Sequence, residues 1–256
     1  MHCCDDRHKT KSETATDQRP QFPLELLDLP SLYILSDPAT ATTTMSATND
    51  AKIKQLVQAK YGEIAEKAVP ASSSSCCSQR TSASCCSSQV FDDMGVSRIM
   101  ADEYKDMDGY NPDADLGLGC GLPTKFAHIQ QGDHVLDLGS GAGNDCFVAR
   151  SLTGPTGKVV GVDFTPAMIE RARANAARRG FTNVTFVQGD IESLPFDNNT
   201  FHVIVSNCVL NLVPNKAAVF QEMMRVLRPG GHFSVSDIVL QGHLSPAIRS
   251  AAECKI

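Results

Sequence analysis

A short apolar segment that runs into a glycine-rich turn constrains the fold of this chain most. Residues 135–143 read VLDLGSGAG, and the apolar segment VVGVD follows at 159–163. Three glycines allow the backbone to turn tightly and to approach a ligand where a Cβ atom would clash: Gly139, Gly141 and Gly143. Asp163 ends the second segment, where such sheets place an acceptor for ribose hydroxyls. The unit predicts a strand, turn, helix and strand that bind a nucleoside-containing cofactor.

Three later motifs distinguish between the possible cofactors. They are VTFVQGDIESLPF at 184–196, FHVIVSNCVLNLV at 201–213 and MMRVLRPGGHFSVSD at 223–237. In this order they resemble the class I methyltransferases, which use S-adenosyl-L-methionine, whereas a dinucleotide dehydrogenase predicts none of them. The resemblance implies an α/β, Rossmann-like sheet.

The same resemblance implies a role for several residues around the cofactor. The acidic turn after the third strand, with Asp190 and Ile191, meets the adenine, and the end of the fourth strand, with Ser206 and Asn207, faces the methionine end. The full implied set of cofactor-binding residues is Asp137, Gly139, Ser140, Gly141, Gly143, Asp163, Phe164, Asp190, Ile191 and Asn207.

Two of the ten cysteines stand beside these motifs. Cys120 lies in DADLGLGCGLPT before the first strand, and Cys208 lies in SNCVLNLVPNK at the mouth of the fourth. Open α/β sheets place their chemistry at the carboxyl ends of the strands. Together with NPDADLGLGCGLP and GSGAGNDCF, these strings closely resemble arsenite methyltransferases, from about Tyr104 to Glu253.

That resemblance implies that Cys120 and Cys208 are catalytic and hold arsenic(III) as thiolates, since a soft centre prefers sulfur ligands. The arsenic lone pair then attacks the methyl carbon of the cofactor, and the protein supplies orientation and a dry site. Arsenite is expected as a thiol adduct, with glutathione or another thiol as reductant. The alternative for each cysteine is ordinary core packing. We interpret Cys146, which is flanked by Phe147 and Val148, as a core residue.

Composition excludes several other functions. The net charge is −6, without a basic stripe, so we expect no nucleic-acid partner. No apolar run approaches the length of a membrane span. The cysteines are typical of cytosolic thiols rather than of a disulfide-stapled secreted domain, which predicts a cytoplasmic enzyme. We expect a monomer.

The chain divides into three predicted parts. Residues 1–50 are polar and broken by prolines, which predicts a disordered extension. Residues 51–96 contain a helix and a Ser/Cys-rich segment, and residues 97–256 form the methyltransferase domain. Asn49 or Asp50 is expected to cap the helix, and four apolar residues predict its buried face: Ile53, Leu56, Val57 and Ile64.

The Ser/Cys-rich segment offers further arsenic ligands. Two vicinal cysteine pairs lie within it: Cys76, Cys77, Cys85 and Cys86. The resemblance associates such cysteines with arsenic capture or redox exchange. A zinc site is disfavoured because the spacing is not that of a C-x-x-C pair. A flexible linker with incidental thiols remains the alternative.

The predicted elements of the catalytic domain alternate between strand and helix. The strands are expected at 135–138, 159–162, 184–188, 201–206 and 232–239, and the helices at 145–152, 165–179 and 216–227. Right-handed crossovers then predict a parallel sheet with helices on both faces. The resemblance implies two further strands and a later arsenic-binding cysteine; Cys254 comes about three residues early for that position. The sequence therefore predicts a C-terminally incomplete domain.

Two other functions remain open. One is a class I methyltransferase acting on a small organic substrate, such as a quinone or sterol, with coincidental cysteines. The other is a non-catalytic fragment that binds cofactor or metalloid without turnover.

Overall fold

The computed structural model describes residues 43–68 and 104–239, with side chains from residue 50 onward. The helices are α1 (Thr43–Lys67), α2 (Pro123–Phe126), α3 (Asn144–Thr153), α4 (Pro166–Arg178) and α5 (Lys216–Val226), with a 3₁₀ turn at Leu210–Leu212. The strands are β1 (His134–Leu138), β2 (Lys158–Asp163), β3 (Val184–Gln188), β4 (Phe201–Asn207) and β5 (Leu227–Ser236). The vicinal cysteine pairs and Cys254 lie outside the described residues.

The five strands form one parallel sheet in the order β3-β2-β1-β4-β5. In the register, Val135 of β1 lies opposite Val159 of β2 and Val203 of β4. The central strands are continuous apolar runs because helices cover both faces of the sheet. The predicted α/β, Rossmann-like fold is confirmed.

Alternate residues of β1 point into two separate cores. Val135 packs with Phe147 of α3 and Ile169 of α4 on one face. Leu136 packs on the other face with Met223 of α5 and Ile204 of β4. This division follows from the two-residue period of a strand. It fixes the carboxyl ends of β1 and β4 between two well-packed layers.

Helix α1 departs from the prediction at its start and at one residue of its predicted buried face. It begins at Thr43, so Asn49 and Asp50 lie inside the helix instead of capping it. Leu56 is 52% exposed, and the buried apolar residues are Val57 and Ala65. Of the four residues predicted for the buried face, Val57 is buried and Ile53 and Ile64 are partly buried, so only Leu56 departs from the prediction.

The C-terminal end of α1 is tied to the sheet domain. The guanidinium group of Arg171, on α4, donates hydrogen bonds to the carbonyl oxygens of Ala65, at 3.2 Å, and Ala68, at 2.6 Å. Such bonds satisfy carbonyl groups that a helix end leaves without partners. Among the described residues, α1 and the sheet domain belong to one compact unit.

Strand β5 begins earlier and ends earlier than expected. Phe201 pairs with Leu227 and Val203 pairs with His232, so the intervening residues form a bulge within the strand. The predicted strand began at residue 232, and the RPGG sequence before it, at 228–231, forms this bulge. β5 ends at Ser236, whereas the other predicted elements of the sheet domain agree to within one residue at each end.

Candidate functional site

A pocket opens at the carboxyl ends of the strands. The turns after β1, β2, β3 and β4 line it from below, and residues of α1 and the loop before α2 line it from the side. Nearly all predicted cofactor residues border it: Asp137, Gly139, Ser140, Gly141, Asp163, Phe164, Asp190, Ile191 and Asn207. The topology therefore brings these side chains to one place, as the sequence predicted.

The glycine turn leaves no room for side chains at its first position. Gly139 has a φ of +68°, and a Cβ atom there would lie 2.3 Å from a methyl group of Val209. The backbone N–H of Gly139 donates to the carbonyl oxygen of Val162 at 2.8 Å. The turn is thus held against β2 with its backbone open to the pocket.

Gly143 has a different role from the one predicted. It does not line the pocket, and it lies at the start of α3 with a φ of +99°. A Cβ atom at this position would lie 2.7 Å from the ring of Phe186. Gly143 is therefore required for close packing of helix and strand, and its predicted contact with the cofactor stays a prediction.

Asp163 lies at the end of β2, where its carboxylate is buried. Its oxygens accept hydrogen bonds from the backbone N–H of Gly141, at 3.0 Å, and of Thr165, at 2.8 Å. Burial raises the pKa of this carboxyl above its ordinary value, although both hydrogen bonds oppose the shift. The carboxylate thus links the glycine turn to α4 and retains lone pairs toward the pocket.

The hydroxyl of Ser140 supports a polar ligand in this pocket. It is buried and has no hydrogen-bond partner within the described ranges. Buried polar groups normally have partners, so such an atom on a pocket wall indicates the place of a ligand group. With the glycine backbone and Asp163, it fits a ribose- and amino-acid-bearing cofactor.

Helix α1 closes one side of the pocket, which the sequence did not predict. Lys54 Nζ lies 2.6 Å from Asp190 Oδ2 and 2.5 Å from Glu192 Oε2. Gln58 Nε2 donates to the carbonyl oxygen of Phe164 at 2.8 Å. Asp190, which is expected to contact the adenine, therefore forms an ion pair with Lys54 of α1, 136 positions away in the sequence.

A buried polar network lies beside the pocket. The hydroxyl of Tyr104 donates to Asp145 Oδ1 at 2.8 Å, and Asn207 Nδ2 donates to Asp145 Oδ2 at 3.1 Å. Burial raises the pKa of Asp145 to about 6, against the lowering effect of these hydrogen bonds. Burial, together with the charge of Asp145, also raises the pKa of Asp137. Sequence reasoning missed Tyr104 and Asp145 as site residues.

Cys120 and Cys208 lie together at the edge of this network. They form a disulfide across 88 residues, with Cα atoms 5.7 Å apart. Asn207 Oδ1 accepts hydrogen bonds from the backbone N–H groups of Cys120, at 3.1 Å, and Gly121, at 3.2 Å. Only the reduced pair has thiolates to offer a metalloid. The structure thus brings the two predicted ligands together, in their oxidised state.

Cys146 is the one free cysteine within the described part of the chain. It is fully buried, and its thiol donates to Asp137 Oδ2 at 3.2 Å. Burial, together with the charge of Asp137, raises its pKa well above that of an exposed thiol. These features confirm the prediction that Cys146 is a core residue.

The sheet order, the glycine turn after β1 and the acidic residue after β2 are those of a Rossmann-like fold that binds a nucleoside-containing ligand. A family model described as a methyltransferase domain matches residues 129–255. The chain therefore belongs to the class I methyltransferases. None of its described helices is long and apolar enough to cross a membrane.

Within this class, the chain is similar to arsenite methyltransferases. It is 38% identical over 250 residues to that of Halobacterium salinarum, covering 91% of this chain and 59% of the relative. It is 34% identical over 215 residues to the human arsenite methyltransferase, covering 80% of this chain and 53% of the relative. A solved arsenic(III) S-adenosylmethionine methyltransferase from Chlamydomonas reinhardtii is 43% identical, with a TM-score of 0.49, over 54% of this chain and 48% of that one. The chain spans less than two thirds of each relative's length.

Proposed function

We propose that this protein transfers a methyl group from S-adenosyl-L-methionine to arsenic(III) held by Cys120 and Cys208. The observation that carries the proposal is the pairing of these two sulfurs at the cofactor pocket, although 88 residues separate them in the sequence. The motifs around both cysteines and the similarity to arsenite methyltransferases support the same assignment.

The protein's own residues bind arsenite and the cofactor and orient them toward each other. In the reduced protein, each thiol displaces one hydroxyl group of arsenite, and two water molecules leave. Asn207 holds the Cys120 backbone next to Cys208, so both sulfurs face one metalloid. Gly139, Ser140 and Asp163 are placed to hold the nucleoside part of the cofactor. Proximity and alignment of the two reactants then supply most of the catalysis.

The cofactor, when bound, supplies an electrophilic methyl carbon. With the cofactor bound, the lone pair of the thiolate-bound arsenic would form the new carbon–arsenic bond as the methyl–sulfur bond of the cofactor breaks, and S-adenosylhomocysteine would leave. Arsenic would thereby be raised formally from the trivalent to the pentavalent state. Two external thiols such as glutathione, oxidised together to a disulfide, would provide the two electrons that restore the trivalent product. Both sulfurs bind arsenic as thiolates, so each thiol, whose ordinary pKa is roughly 8.5, gives up its proton in the binding step.

A methyl-transfer assay tests the proposal and its alternatives. The reduced chain is incubated with arsenite, glutathione and cofactor labelled in the methyl group, and arsenical products are separated by chromatography. We expect labelled methylarsenicals from the wild type and none from Cys120→Ser or Cys208→Ser. Methylation of an organic acceptor that is insensitive to both substitutions would favour an organic substrate instead. Binding of cofactor and arsenic without any product would indicate a non-catalytic fragment.

A further inference from the structure

Asp237 contributes a third potential ligand group beside the paired cysteines. A carboxylate oxygen of Asp237 and the Sγ atoms of Cys120 and Cys208 all lie within 4.8 Å of one another. These residues come from the loop before α2, the end of β4 and the end of β5. All three are partly exposed, so a small solute can reach them from solvent. The sequence resemblance implied no role for this aspartate.

The position of the Asp237 carboxylate is fixed by the backbone around it. Asp237 Oδ2 accepts a hydrogen bond from the N–H of Asn211 at 3.0 Å. Asp237 Oδ1 accepts one from the N–H of Ile238 at 2.7 Å. Each carboxylate oxygen has further acceptor capacity, because an ionised carboxylate offers about four lone-pair sites. The group is therefore held in place and can still accept a hydrogen bond from a ligand.

The geometry of trivalent arsenic gives this carboxylate a specific partner. Arsenic(III) has three ligands, and two cysteine thiolates leave one position. In arsenite that is bound without a further thiol, the third group is a hydroxyl, which can donate a hydrogen bond. In bound methylarsonous acid it is a methyl group, which cannot donate and would displace water from the carboxylate. The Asp237 carboxylate is therefore stabilised next to the hydroxyl, which donates a hydrogen bond to it. It is destabilised next to the methyl group, which displaces its water.

We propose, resting on the function proposed above, that Asp237 selects the arsenic species at this site. Its carboxylate accepts a hydrogen bond from the hydroxyl that remains on arsenic once Cys120 and Cys208 have bound. Two thiol protons and two hydroxyls leave as water in that binding step, and no electrons are transferred. Asp237 therefore favours arsenite over methylarsonous acid, and the first methylation over the second.

Equilibrium dialysis tests this selection directly. The full chain is reduced with a phosphine, which avoids a competing thiol, and the binding of arsenite and of methylarsonous acid is measured by elemental analysis. Asp237→Leu should weaken arsenite binding by about tenfold, the scale of one charged hydrogen bond. The affinity of Asp237→Leu for methylarsonous acid should be equal to that of the wild type or higher. Asp237→Asn keeps an oxygen acceptor without the charge, so its arsenite affinity should lie between those of the wild type and Asp237→Leu.

Matched controls separate this inference from the proposed function. Asp197→Leu removes an exposed carboxylate far from the cysteines and should change neither affinity. Cofactor binding and thermal melting report whether each variant is folded. Equal affinity changes for both arsenicals in Asp237→Leu, or no change in a folded variant, would overturn the role of Asp237 while leaving the cysteine site intact. A folded wild type that binds neither arsenical would overturn the proposed function as well.

Discussion

The side-chain oxygen of Asn207 accepts a hydrogen bond from the backbone N–H of Cys120 at 3.1 Å. The same amide group donates to Asp145 Oδ2 at 3.1 Å. One side chain at the end of β4 thus connects the loop that carries the first cysteine to the first turn of α3. Cys208 is its immediate neighbour in the chain. The geometry of the cysteine pair therefore depends on a residue that is not itself a sulfur ligand.

Replacement of Asn207 should damage both stability and metalloid binding. Asn207→Ala leaves two backbone N–H groups without an acceptor and removes one of the donors to the Asp145 carboxylate, and we expect a loss of about 2–3 kcal/mol in the free energy of unfolding. Asn207→Asp keeps the acceptor but places a second carboxylate against Asp145. It should therefore be more destabilising at pH 7 than at pH 4.5. Urea titrations of both variants measure this, and equal losses at the two pH values would contradict the network as described.

Asp163 should be needed for cofactor affinity. Asp163→Ala removes the acceptor for the backbone N–H groups of Gly141 and Thr165 as well as the one facing the pocket. We expect S-adenosyl-L-methionine to bind more weakly by roughly 1–3 kcal/mol, the scale of a charged hydrogen bond. Calorimetry on the folded variant measures the change. Unchanged affinity would remove Asp163 from the cofactor site, and micromolar binding of NAD would contradict the cofactor assignment itself.

The three described cysteines should separate by function. Cys120→Ser and Cys208→Ser should each abolish arsenite methylation and leave cofactor affinity intact, because the sulfurs lie at the edge of the pocket rather than beneath the cofactor residues. Cys146→Ser should mainly lower stability, because its thiol is buried against Asp137. Turnover, calorimetry and melting curves measured on the same preparations make the comparison. Normal turnover by Cys208→Ser would disprove its role as a ligand.

The disulfide between Cys120 and Cys208 also predicts dependence on redox state. While the two sulfurs are bonded to each other, they cannot bind arsenic. We therefore expect oxidised protein to bind no arsenite, and phosphine reduction to restore binding. The Cys120→Ser variant provides the control, because its arsenic binding should stay low under both conditions. Equal arsenite binding by oxidised and reduced wild type would contradict this expectation.

The positions of β1 to β4 along the chain were predictable because each is a largely apolar run. The meeting of Cys120 and Cys208 was predictable from the motifs, since the carboxyl ends of parallel strands share an edge. The contact between Lys54 and Asp190 was not predictable, because these residues are 136 positions apart and no local sequence pattern indicates that they meet. Asp237 could have been found by the same strand-end rule, once β5 was known to end at Ser236.

Helix α1 should support cofactor binding through Lys54. Its ammonium group bridges Asp190 and Glu192 at the pocket wall. Lys54→Ala should weaken cofactor binding several-fold, and the pair is partly exposed, so we expect a stability loss of only about 1 kcal/mol or less. Lys60→Ala, on the exposed side of the same helix, is the matched control and should change neither quantity. Equal cofactor affinities for the two variants would show that α1 does not support the site through this ion pair.

Asp145 should make stability depend on pH in a defined direction. Burial raises its pKa in the folded protein to about 6, whereas the unfolded chain has an ordinary value of about 3.9. The folded state therefore holds this proton more tightly, so the stabilisation is complete below about pH 4 and disappears as the pH rises through 6. Two pKa units correspond to about 3 kcal/mol.

The neutral variant Asp145→Asn should remove this contribution, because it has no proton to lose. The difference in unfolding free energy between wild type and Asp145→Asn should therefore change by about 2–3 kcal/mol between pH 4 and pH 7, with the wild type losing relative stability as the pH rises. Asp197→Asn, an exposed carboxylate, controls for the general effect of removing one negative charge. Urea unfolding at half-unit pH intervals gives the curves. If the Asp145→Asn and wild-type curves run parallel across this range, the proton on Asp145 does not contribute to folding.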